Sequence, residues 1–90
     1  MQYDVEKVAA LRVIAQMDAE VCQRAAESDF YVVSRRRDFR ELYVEILDAR
    51  TLLADIERGD VSPRVATTLI YAAVRKVDML SEATAMFDDM

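Results

Sequence analysis

Apolar residues recur at helical spacing in three stretches of this 90-residue chain, each bordered by residues that start or stop helices. In the first, Val8, Leu11, Ile14, Met17, Val21, Cys22 and Ala25 share one face, and Arg12, Gln16, Glu20, Gln23 and Glu27 share the other. Asp4 can cap free backbone N–H groups, so the pattern predicts a helix over about residues 4–27. Asp18 falls inside its apolar arc. A buried carboxylate needs a partner or loses its charge, and Arg35, Arg50 and Lys76 are the candidates for a structural ion pair.

The second stretch carries Val32, Phe39, Leu42, Ile46, Ala49, Leu53 and Ile56 in one register. Arg37, Arg40, Glu41, Glu45, Asp48, Thr51, Asp55 and Arg58 form its water-facing side, and a helix over about 30–58 is expected. Ser28 and Asp29 mark the break before it, with Ser34 as another start. Phe30 to Val33 has the β-branched and aromatic content of a strand, but no sheet is available for it, so it reads as helix or as a corner between helices. Gly59 sits where a left-handed C-cap is expected, and Ser62-Pro63 forms a strong helix start. The third helix is therefore placed at about 63–87.

On that third helix the apolar arc is too wide for one buried face. Ala66, Leu69, Ala73, Val77, Leu80 and Phe87 form a main stripe that can pack on the other helices. Val65, Ala72, Met79, Ala83 and Met86 form an adjoining one, bordered by the polar rim Tyr71, Arg75, Asp78 and Glu82. A central position in the bundle would absorb the second stripe. Otherwise it is a surface for a partner, where Met repacks readily and Ala permits close helix approach.

With one Gly and one Pro, the chain has little turn punctuation for short strands, so few long elements fit. The expected fold is all-α, a single domain over 1–90 built as an antiparallel three-helix bundle, up-down-up. Assembly as a helical dimer would cover the surplus stripe. So short a chain buries only about 60–65% of its unfolded surface, which keeps the monomer marginal.

Charge and chemistry narrow the function. The net charge of −5 disfavours general adhesion to nucleic acid. Arg35, Arg36, Arg37 and Arg40 are the one dense cationic cluster and the only nucleic-acid contact to consider, but Asp38, Glu41 and Glu45 follow at once and the four arginines point around the helix. There is no histidine, Cys22 has no base beside it, and no glycine-rich phosphate loop is possible, so no catalytic residue, metal or cofactor is expected. Cys22 reads as a small core residue. No stretch is apolar enough to span a membrane and the first residues do not read as a leader, which places the chain in the cytoplasm as an expectation. The sequence thus points to a non-catalytic protein–protein interaction module, an adaptor, assembly chaperone or inhibitor. Its partner is another protein or a second copy, with a homo-oligomer favoured. A small nucleic-acid-binding regulator using the arginine cluster is the alternative.

Overall fold

The computed structural model describes the backbone of residues 2–88 and the side chains of residues 2–85. Among these residues it contains four helices and no strand: α1 (Val5–Ala15), α2 (Ala19–Glu27), α3 (Val33–Arg58) and α4 (Pro63–Asp88). The all-helical expectation agrees with this. The expected count of three does not, because the first helix is interrupted at Gln16 to Asp18.

The interruption has a physical cause at Asp18. A continuous helix would place this carboxylate in the middle of the arc that holds Leu11, Ile14, Cys22 and Ala25, all of which are buried. Burying an unpaired charge costs several kcal/mol, whereas breaking a helix gives up hydrogen bonds of about 1 kcal/mol each. The chain breaks instead. Asp18 is exposed and becomes the N-cap of α2, its Oδ1 accepting from the Val21 N–H at 3.1 Å. The carbonyls released at the end of α1 are taken by Arg50, whose Nε donates to Ala15 O at 2.9 Å and Nη2 to Met17 O at 3.0 Å. The expected ion pair of Asp18 is therefore replaced: Arg50 holds backbone, Arg35 pairs with Asp38, and Lys76 pairs with Glu45.

The second predicted helix starts later than expected, at Val33, and residues 30–32 form the corner. Ser28 closes α2 and its Oγ accepts from the Phe30 N–H at 3.1 Å, so neither Ser28 nor Asp29 caps α3. Val32 occupies the α3 N-cap without a side-chain hydrogen bond. The other boundaries agree with the sequence. Asp4 accepts from Glu6 and Lys7 N–H groups, Gly59 ends α3 with φ of 74°, and the Ser62 Oγ accepts from the Val65 N–H at 3.3 Å. A left-handed backbone of this kind strains any side chain, which is why glycine stands there.

The molecule is a rod of 47 × 19 × 16 Å. Tyr3 donates its hydroxyl to Val61 O beside the α3–α4 connection, while Arg50 grips the far end of α1, so α1 runs antiparallel to α3. The Lys76–Glu45 contact sets α4 antiparallel to α3 as well. α1 lies in the angle between α3 and α4, whereas α2, among the described residues, rests on α3 and brings Ala19 and Cys22 to the main core. The main core gathers Leu11, Ile14, Ile46, Ile56, Ile70, Val77 and Leu80. Ile70 belongs to neither stripe expected for the third helix, yet with Leu11 and Ile46 it is one of the largest fully enclosed side chains. Thr84 is also buried, its hydroxyl satisfied by the Leu80 and Ser81 carbonyls. A smaller cluster joins Ala25 and Ala26 of α2 to Phe39, with Tyr31 leaning on the Phe39 ring at 4.9 Å.

Candidate interaction surface

The surface centres on α4, whose inward face is set by Ala66, Ile70, Val77 and Leu80. Turning the helix from that face toward α3 brings out Val65, Leu69, Ala72, Lys76, Met79 and Ala83, spaced alternately four and three residues apart. That spacing is the one by which helices dock along a common seam. Val65 is 49% exposed, Leu69 47% and Met79 62%; Ala72 and Lys76 are exposed and Ala83 is half-buried. The Met86 and Phe87 side chains lie outside the described residues. Leu69, expected in the main core stripe, is thus a surface residue: the core arc is narrower than the sequence suggests because Ile70 fills it.

Leu69, Ala72, Ala73 and Lys76 form one wall of an open groove of about 520 Å³. Glu45, Asp48, Ala49, Leu52 and Asp55 of α3 form much of the other. Its floor is apolar and its α3 edge is acidic. Glu45 is held by Lys76 at 3.8 Å and Asp55 by Arg58, which also reaches Asp60 at 2.9 Å. Asp48 is exposed and makes no ion pair among the described residues. The α3 wall reads in sequence as part of a water-facing side; the signal that could have exposed it is the matching three- and four-residue spacing of Glu45, Asp48, Leu52 and Asp55.

The expected rim residues Tyr71, Arg75, Asp78 and Glu82 are all exposed, but they flank the stripe on the side of α4 away from the groove. Arg75 Nη1 donates to the Tyr71 hydroxyl at 3.3 Å and its guanidinium lies 5.7 Å from the ring centre. Lys7 of α1 stands 6.0 Å from the same ring. Asp78 borders a separate depression between α1 and α4 with Val13, Ile14 and Met17. Val65, Ala72 and Met79 therefore sit with Leu69 on one side, and Tyr71 and Asp78 turn toward α1.

At the start of α3 the four arginines are not dispersed as expected. Arg36, Arg37 and Arg40 line one depression with Val33, while Arg35 turns to Asp38 at 3.3 Å. Arg36 is also 3.6 Å from Asp29, and its buried Nε has no hydrogen-bond partner among the described residues. Tyr31 is packed against Phe39 and edge-on to Phe30, which commits its ring to the fold.

Cys22 is buried, and that burial pushes its thiol above the ordinary range, with the neighbouring Asp18 charge adding to the effect. A thiol so placed is a poor nucleophile at neutral pH. Among the described residues no three His, Cys, Asp or Glu side chains gather as a metal site, and no helix is long and apolar enough to cross a membrane. No family model, curated protein or solved structure matches the chain.

Proposed function

We propose that this chain is a small, non-catalytic helical module that binds another protein, or a second copy of itself, through the exposed stripe of α4. Adaptors, assembly chaperones and inhibitors act in this way. The observation that carries the reading is the row Val65, Leu69, Met79: three large apolar side chains, each about half exposed or more, aligned on one helix at docking spacing. Scattered exposed apolar residues mean little, but an aligned set beside an apolar groove is the form that helix-binding surfaces take. Tyr71 and Arg75, already ordered against each other, would contribute at the edge, and Asp78 and Glu82 would tune partner choice by charge.

Photocrosslinking from position 79, with position 24 on the exposed face of α2 as control, tests this together with sedimentation of the wild type and Met79→Asp. The expected result is a discrete adduct or a dimer that Met79→Asp removes. A monomer that crosslinks no more from position 79 than from position 24 overturns the reading.

A second reading rests on the shared depression of Arg36, Arg37 and Arg40 at an α3 start that has no side-chain cap and no acidic residue in its first turn. Such a point attracts phosphate, so a nucleic-acid-binding regulator is its functional form. Binding to a short duplex would then weaken steeply with salt and collapse in Arg36→Glu. The absence of any shift at low salt eliminates it.

A further inference from the structure

The groove between α3 and α4 constrains what the partner is. We infer that its occupant is a basic amphipathic α-helix of another protein, with its apolar face on Leu52, Leu69 and Ala73 and its cationic side on the acidic edge of α3. This rests on the reading of the α4 stripe as a protein contact and names the class of partner.

The shape points to a helix. The groove is bounded by two antiparallel helices whose facing residues both follow three- and four-residue spacing, so a third helix can set its own ridges between them. Ala49, Ala72 and Ala73 keep the walls low and let a backbone approach closely. An extended peptide would find no sheet edge to pair with, since the described residues contain no strand.

The charge selects the helix. The ionisable groups lining the groove are the carboxylates Glu45, Asp48 and Asp55 and the ammonium of Lys76. Lys76 is already spent on Glu45, and Arg58 holds Asp55. Asp48, midway along the α3 wall, makes no ion pair among the described residues and is the natural seat for a partner's lysine or arginine. A second copy docking by the same groove would bring a second acidic edge to the first, on a chain whose net charge is already −5. An anionic membrane surface is repelled for the same reason.

Two fluorescein-labelled helical peptides of about 18 residues, roughly five turns and so longer than the roughly two to three turns of helix that line the groove, test the inference by anisotropy. They share one leucine and alanine face and differ only in carrying lysine or glutamate along its flank. The lysine peptide is expected to bind about tenfold more tightly or better at low salt, with the gap closing as salt screens the exposed charges. Asp48→Lys should reverse the preference, and Leu69→Asp, whose helicity is checked by circular dichroism, should abolish binding of both. Equal binding of the two peptides, an unchanged preference in Asp48→Lys, or binding of neither overturns the inference. Sedimentation separates the two levels of failure. If neither peptide binds but the wild type dimerises and Leu69→Asp does not, the groove belongs to a second copy and the interaction module stands. If the chain is also monomeric and gives no adduct from position 79, both fall.

Discussion

The two ends of this rod are built on different terms. Where α1 lies between α3 and α4, three helices meet around Leu11, Ile46, Ile56 and Ile70, large side chains that are almost fully enclosed. At the other end α2 packs, among the described residues, on α3, and the residues it buries are Ala19 and Cys22, at the margin of the main core, and Ala25 and Ala26. Small side chains remove little apolar surface from water, at about 25 cal/mol per Å². A helix of 9 residues has little stability of its own to add. The contrast teaches that helix content is nearly uniform along the chain while stability is not, so α2 should open well before the rest.

The largest effect that can break this comparison is a cavity at the three-helix end. Ile70→Ala empties a site only 2% exposed, and the loss should be about 3 kcal/mol, read as a lower urea midpoint. Hydrogen exchange should rise in α1, α3 and α4 together, because that core is shared. If Ala25→Gly on α2 destabilises the whole molecule as much, the two ends are one cooperative unit and the comparison fails.

Much of this architecture is legible from residues whose local chemistry strongly favours one structural use at their place in the pattern. Gly59 stands where a left-handed backbone favours glycine, Ser62-Pro63 strongly favours a helix start, and Asp4 caps as its position suggests. Asp18 is different because a carboxylate in an apolar arc has two solutions, an internal partner or a broken helix. The register of Leu11, Ile14, Cys22 and Ala25 passes through the break unchanged, so periodicity alone carries no trace of it. The choice depends on Arg50, 35 residues from Ala15, being placed to satisfy the freed carbonyls. Ile70 and Leu69 pose the same problem on α4. Both are large and apolar and adjacent in sequence, and only the position of α3 decides that Ile70 goes inside and Leu69 faces the groove. The stripe on α4 was visible in the sequence; the acidic wall opposite it was not, since an acidic residue on a helix reads as solvated until a second helix is seen beside it.

The next effect concerns the joint between the two regions. Arg50→Ala removes both donors from the Ala15 and Met17 carbonyls, and the cost should be about 1–2 kcal/mol. Because the joint is exposed, water can replace part of what the guanidinium supplies, which keeps the loss below that of the Ile70 cavity. Arg50→Lys should recover only part of it, since an ammonium lacks the fork that reaches two carbonyls at once. The sharpening observation is where the loss appears: exchange should accelerate in α2 and the last turn of α1 while the core around Ile70 keeps its protection. Uniform acceleration would mean that the joint supports the entire bundle.

The smallest effect reads the weaker end through its one thiol. Burial, with the Asp18 charge assisting, holds the Cys22 pKa above its unfolded value, so the folded state keeps a proton that the unfolded chain releases first. Folding stability from this source is complete below the unfolded thiol's pKa of about 8.5 and is lost as pH rises from there through the folded value. The urea midpoint of the wild type should therefore fall relative to that of Cys22→Ala as pH is raised from neutral into that range, and the two should run parallel at lower pH. Asp18→Asn removes the assisting charge and should reduce the alkaline difference while leaving the part due to burial. The same thiol also times the opening of α2. Native Cys22 should react slowly with iodoacetamide, and Arg50→Ala should speed the reaction more than Ile70→Ala does at matched fractions of globally unfolded protein. An alkylation rate that follows global stability alone would show that α2 never leaves α3 by itself, and would remove the distinction between the two ends.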